Sequence, residues 1–162
     1  PETLGSFALK GMRDSFFGCN NTAEFIIGSS SAAKRLTRLT PYFNPPAFFQ
    51  DGYKSIFLYP FSFISSTLGH TIAVQNFLPA SDGLTNFSSK IYSSVKKKYR
   101  NSGFYQDYLA QNIKINMQIF KEDYDICKLI DFNSYSARFN GPLYESEQKV
   151  AFFRQCLADE LV

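Results

Sequence analysis

The chain of 162 residues has no tryptophan, one histidine, two methionines and three cysteines. Each shortage excludes something. A Ser/His/Asp or Cys/His catalytic set would have to be built on His70, which follows Gly69 in a segment that reads as a turn, with no acidic or nucleophilic neighbour in sequence. His70 cannot complete a facial metal triad by itself either, because that site takes two histidines and a carboxylate. The cysteines, Cys19, Cys127 and Cys156, are odd in number and have no metal-ligand spacing. Cys127 and Cys156 fall on apolar helix faces, which predicts reduced core residues in a cytoplasmic protein. No apolar run is long enough to cross a bilayer, and no basic region leads into an apolar core near Pro1, so neither a membrane partner nor a leader is expected. There is no internal repeat or low-complexity tract. Gly28-Ser29-Ser30-Ser31 lacks the lysine of a phosphate-cradling loop. The triplets Asn20-Asn21-Thr22 and Asn86-Phe87-Ser88 matter only in a secretory setting, which nothing else in the sequence indicates.

What is abundant is aromatic. Eighteen Phe and ten Tyr bring the aromatic share to 17% and the hydrophobic share to 44%. That composition argues for one folded domain with an aromatic interior or an aromatic-lined pocket. The net charge is only +3, and much of it sits in Lys96-Lys97-Lys98 with Arg100. Tyr92 and Tyr99 flank this run, but no second basic cluster supports it. It reads as a solvated connection, and no nucleic-acid partner is expected.

Along the chain, Gly5, Gly11 and Gly18 break residues Pro1–Asn21, and Ala23–Ser29 reads as a short strand. Pro41, Pro45 and Pro46 make Thr40–Gly52 irregular, an aromatic loop packed over the body or across a pocket mouth. Strands follow at Tyr53–Tyr59, Phe61–Ser66, Thr71–Leu78 and Asn86–Val95, with turns at Gly69-His70 and Ala80-Ser81-Asp82-Gly83. Asn101-Ser102 can cap a long helix over Tyr105–Ile130, and a final helix spans about Glu145–Leu161. Strands followed by two helices predict an α+β fold with an antiparallel sheet.

At 100° per residue, Leu109, Ile113, Met117, Phe120, Tyr124, Cys127 and Ile130 make one apolar stripe on the long helix. Asp123 falls on that stripe, while Lys121, Glu122, Asp125 and Lys128 project away. A buried carboxylate requires a partner, and a cation, a set of donors and a metal are all open to it.

The local sequence adds a resemblance. Glu122-Asp123, Ile126-Cys127, Phe139-Asn140-Gly141-Pro142-Leu143, Glu145 to Glu147 and the closing amphipathic helix resemble the C-terminal end of Rieske non-haem iron oxygenases, the ring-hydroxylating dioxygenase large subunits and their relatives. Ile56-Phe57-Leu58-Tyr59-Pro60, Phe63-Ile64-Ser65 and Val74-Gln75-Asn76-Phe77-Leu78-Pro79 are similar to that family's strand pair. Lys128, Asp131 and Phe61 depart from the family pattern, where Glu, Gln and Asn are usual. Pro1-Glu2 matches the residues that follow the family's second ligand histidine. The resemblance therefore implies that residues 1–162 are the C-terminal portion of one catalytic domain, with the Rieske domain absent.

The implied fold is α+β, a curved antiparallel sheet packed on long helices (the helix-grip, Bet v 1-like arrangement), present as a fragment. The implied activity is an iron-dependent mono- or dioxygenase inserting oxygen from O2 into an aromatic or other small organic substrate. Asp123 would be the carboxylate ligand of a mononuclear Fe(II), with two histidines absent from this chain. A [2Fe-2S] Rieske cluster in the missing N-terminal domain would feed electrons from NAD(P)H through a reductase or ferredoxin. A homo-oligomer, commonly a trimer among relatives, is implied for the full-length protein. Phe63, Ile72, Val74 and Phe87 on strands, with Met117 and Phe120 on the helix, are the expected pocket lining. The alternative is a metal-free binding module of the same shape for a lipophilic ligand, with Asp123 salt-bridged or lining the pocket.

Overall fold

Alternating strand sequences and short turns give a six-stranded antiparallel meander in the computed structural model, which describes residues 10–81, 83–129 and 148–160. The strands are β1 (Lys10–Phe17), β2 (Asn20–Ile26), β3 (Tyr53–Leu58), β4 (Ser62–Thr67), β5 (Thr71–Ser81) and β6 (Leu84–Ser93). Each pairs with its neighbours in sequence; β1 and β6 do not pair with each other, so the sheet stays open. Among the described residues three α-helices accompany it: α1 (Ser31–Leu39), the 25-residue α2 (Gly103–Cys127) and α3 (Gln148–Glu160). This is an α+β fold of helix-grip-like form. No helix among the described residues is long and apolar enough to cross a membrane.

Local chemistry sets the boundaries. Ser30 caps α1 by accepting the Ala33 amide at 3.1 Å, and Ser102 caps α2 by accepting the Tyr105 amide at 3.3 Å. The β4–β5 turn needs positive φ at Leu68 (55°) and Gly69 (66°), and a Cβ on Gly69 would strike Pro45. At the mouth of β3, a side chain on Gly52 would run into the Phe25 carbonyl, so the chain can pass only as glycine. The Pro-rich segment after α1 is irregular, as its prolines require, and it is pinned to the body. Phe43 is buried and bridges Val95, while Lys96 Nζ donates to the Pro41 carbonyl at 2.7 Å.

Strand register decides which side chains meet the helices. Pairings Ala23↔Ser55, Ser55↔Ser65, Ser65↔Ala73 and Ala73↔Ile91 make one transverse row on a single face. Asn21, Phe57, Phe63 and Gln75 form the next row on the same face, and Phe77 and Phe87 continue it at the far corner. All three helices lie against this face. Phe87 meets Phe120 of α2 at 4.8 Å between ring centroids, and Phe16 meets Phe152 of α3 at 4.6 Å. Lys149 of α3 is paired with Asp14 at 2.8 Å, and Cys156 of α3 is disulfide-bonded to Cys19 in the β1–β2 turn, Cα to Cα 5.7 Å.

Several expectations are corrected here. A strand, β1, occupies part of the segment that three glycines were expected to break. The nine-residue α1 carried too short a pattern to be read, although it is strongly amphipathic. Cys156 is buried but bridged, not reduced, and Cys127 is free and exposed rather than in the core. On α2 the stripe of Ile113, Met117, Tyr124 and Cys127 faces solvent, Met117 at 67% exposure. The residues turned inward are Tyr105, Tyr108, Leu109, Asn112, Asn116, Ile119 and Phe120, with Glu122, expected to project away, half-buried beside them. Their centre lies about 70° around the helix from the centre of the apolar stripe, taking 100° per residue, and Leu109 and Phe120 belong to both. Polar Asn112 and Asn116 on the inner face hid it from a search for apolar periodicity. The predicted Phe139–Leu143 motif, Asp131 and Glu145 to Glu147 lie outside the described residues.

Candidate ligand cavity

A cavity of about 430 Å³ opens between α1, α2 and the sheet. Its floor is the row of small side chains. Ser65 and Ala73 leave the space beneath the helices unfilled, Ile91 closes one side and Tyr53 the other. α1 contributes Leu36 and Leu39, and α2 contributes Tyr108, Asn112, Ile115 and Ile119. Residues 108, 112, 115 and 119 recur at the three- and four-residue spacing that brings one helix face to the sheet. The lining thus mixes aliphatic and aromatic surface with hydroxyl and amide groups, in the size range of a small-molecule site.

The polar groups are two phenols, the three amides of Gln111, Asn112 and Asn116, the hydroxyls of Ser65, Ser66, Thr67 and Thr71, and a cation. Tyr53 is largely buried, and that burial pushes its phenol up from its usual value; hydrogen bonds with Ser65 and Ser55 oppose the shift. Burial also pushes the Tyr108 phenol up, to about 12, against the hydrogen bond it makes with Thr71. Both rings therefore stay neutral across physiological pH and serve as hydrogen-bond donors or acceptors rather than bases. Arg35 of α1 also lines the cavity, is exposed and has no ion pair among the described residues. A guanidinium at an apolar cavity rim is placed to meet an anionic or strongly polar ligand end.

His70 lies beneath this site and is the largest fully buried side chain among the described residues. Its ring stacks on Phe43 at 4.3 Å and meets Tyr108 edge-on at 6.3 Å. Nε2 is 3.1 Å from Thr40 Oγ1, while Nδ1 has no hydrogen-bond partner among the described residues. Burial lowers its pKa to about 4, so the ring is neutral. The turn expected at this position is present, but its side chain points into the core and locks the Pro-rich segment, the β4–β5 turn and α2 together.

The other predicted site residues scatter. Ile72 and Val74 alternate to the sheet face opposite Thr71 and Ala73, away from the cavity. Met117 is exposed. Phe63 is on the helix-covered face but lines a second cavity of about 330 Å³ under α3, with Phe57, Pro60, Val150 and Phe153. Phe87 and Phe120 pack on one another beyond the main cavity. Tyr53, Ala73 and Tyr108 were missed because the signal for them, a row of small residues across four strands, exists only once the register is known.

Asp123 is exposed, in the last two turns of α2. It is fifteen residues from Tyr108, about 22 Å along the helix axis at 1.5 Å per residue. His70, the chain's one histidine, adjoins Tyr108 and so cannot share an ion with Asp123. No group of three or more His, Cys, Asp or Glu side chains among the described residues is placed to hold a metal. Asp123 by itself offers such an ion one carboxylate, and the two histidines that the resemblance implies are not in this sequence. Comparisons with protein-family models, with curated proteins and with solved structures find no match.

Proposed function

We propose that the protein binds a small amphipathic organic molecule, apolar body inward and polar or anionic end at Arg35. The observation that carries this reading is the cavity of about 430 Å³ built over the Ser55, Ser65 and Ala73 row, with aliphatic walls, two neutral phenols and one cation at its rim. A protein that only needed a packed interior would fill that row with larger side chains, because an unfilled apolar void costs stability. Of the two readings raised by the sequence, binding without a metal fits the arrangement of side chains. The oxygenase reading places its two histidines and its cluster outside this sequence, so no oxidation step is derived.

The test uses 1-anilinonaphthalene-8-sulfonate, an apolar fluorophore with an anionic end, followed by displacement with decanoate or decanol. Binding with enhanced emission, displaced better by decanoate than by decanol, is expected. Ala73→Phe should fill the floor and abolish binding while circular dichroism stays unchanged. Arg35→Gln should remove the preference for the carboxylate while leaving decanol displacement intact. Equal binding by the folded Ala73→Phe variant would refute the site.

A further inference from the structure

We propose that Asn86 is an N-glycosylation site and that the protein matures in an oxidising, secretory compartment. Three independent observations lead there. The first is the Cys19–Cys156 disulfide, which joins α3 to the β1–β2 turn across 137 residues. Disulfides persist where the surroundings are oxidising, as in the lumen through which secreted proteins pass, and are rare in the cytosol. In that compartment Asn-x-Ser/Thr triplets become acceptors.

The second observation is that the fold separates the two triplets. Asn20 is half-buried and committed: its Oδ1 accepts the Tyr59 amide at 2.9 Å, and its Nδ2 donates to the Phe17 carbonyl at 3.4 Å. An oligosaccharide on that nitrogen would crowd the β1–β2 turn next to the disulfide. Asn86 is exposed on β6, the open edge of the sheet, and has no side-chain hydrogen bond among the described residues. Strand alternation puts Ser88 on the same face two residues on, so its hydroxyl is beside the Asn86 amide. This face points away from the helices and the ligand cavity, and a bulky group there obstructs neither.

The third observation is what surrounds Asn86. Leu78, its cross-strand partner, is 52% exposed, and Leu84 and Tyr92 on the same strand face are exposed as well. A long, open edge strand carrying exposed apolar side chains is a template for edge-to-edge association. A hydrophilic oligosaccharide at Asn86 covers that patch and blocks the edge.

The modification is a group transfer from a polyprenyl-diphosphate oligosaccharide. Asn86 Nδ2 forms a bond to the anomeric carbon and gives up one amide proton. The anomeric C–O bond breaks, and polyprenyl diphosphate leaves with its electron pair.

The test is site mapping on protein captured from its native cells. Peptide:N-glycosidase F treatment in heavy-oxygen water converts an occupied Asn to a mass-labelled Asp. Label at Asn86 and none at Asn20 is expected. Alkylation before reduction should mark Cys127 alone. In eukaryotic cells secreting the full chain behind a leader, Asn86→Gln should lose the whole enzyme-sensitive mobility shift. An unlabelled Asn86, label at Asn20, or alkylation of all three cysteines without reduction would each overturn the proposal.

Discussion

Acidification from neutral to about pH 4 should destabilise this protein through one residue, His70. Its ring is fully buried, stacked on Phe43, with one nitrogen near Thr40 and the other without a partner among the described residues. In the unfolded chain the imidazole titrates at its ordinary 6.5; in the fold, burial lowers that to about 4. Between those values the unfolded state holds a proton that the folded state refuses. The stabilisation is therefore complete above pH 6.5 and is lost as pH falls toward 4. At 1.36 kcal/mol per unit, the loss is about 2 kcal/mol by pH 5 and about 3 kcal/mol by pH 4, a large part of a typical domain's stability. Urea unfolding at pH 7, 6 and 5 measures it, with His70→Gln as the comparison. Gln keeps a polar group toward Thr40 but cannot titrate, so the variant should be weaker at pH 7 yet flatter in its pH dependence. Carboxylates contribute equally to both proteins and cancel in the difference. Parallel loss of stability by the two proteins would refute the buried neutral ring.

Four further outcomes follow from particular contacts. Cys156→Ser, or reduction of the native protein, should cost about 2–5 kcal/mol in urea unfolding, because the bridge closes a long loop; Cys127→Ser should cost almost nothing. Tyr108→Phe should lose about 1 kcal/mol by deleting the hydrogen bond with Thr71, and the wild-type phenol should ionise only near pH 12 in an ultraviolet titration. Asp123→Ala, at an exposed position, should change stability by less than about 0.5 kcal/mol and leave fluorophore binding unaltered. Replacing Lys97 and Lys98 by Gln should be equally silent in thermal melts, whereas Lys96→Gln should be measurable because its ammonium holds the Pro41 carbonyl.

The strands from Tyr53 onward were legible because each is bounded by strong punctuation: Pro60, Gly69 and the Asp82-Gly83 pair. Their ends moved by no more than three residues at any boundary. Ser102 announced the start of the long helix for the same reason, since its side chain does the capping. The face of that helix was not legible. Its inward surface carries Asn112 and Asn116, which are tolerated because Asn116 donates to the Asn112 carbonyl at 2.8 Å and the cavity leaves room for them. Apolar Ile113 and Met117 point outward, so periodicity was rotated off the inward face; Asp123 shares the helical angle of Asn116 and Ile119 but is exposed because it lies in the last turns of α2, where nearly every side chain meets solvent. The disulfide was hidden for a different reason. Cys19 and Cys156 are 137 residues apart, and only the folding of α3 onto β1–β3 brings them together.

The cavity arises from the same feature that makes the hydrophobic core sparse. The most buried apolar positions on the sheet are Ala23 and Ala73, and buried Asn21, Ser55 and Thr71 take places where larger aliphatic residues would fill the interior. Small and polar side chains in the centre hold the helices off the middle of the sheet. Contact is restored at two corners, through Phe87 with Phe120 at one and through Phe16, Phe57, Phe152 and Phe153 at the other. Large aromatics at the corners act as spacers, and the gap between them is the cavity. This arrangement explains why a chain so rich in phenylalanine buries so few of them completely: of the eighteen, Phe43 and Phe49 alone are in the buried class among the described residues. The disulfide fastens the α3 corner covalently, and His70 with Phe43 and Tyr108 fastens the base of α2. A fold secured at its edges in this way can keep an open centre without collapsing into it, which is the mechanical requirement for a ligand site in a domain this small.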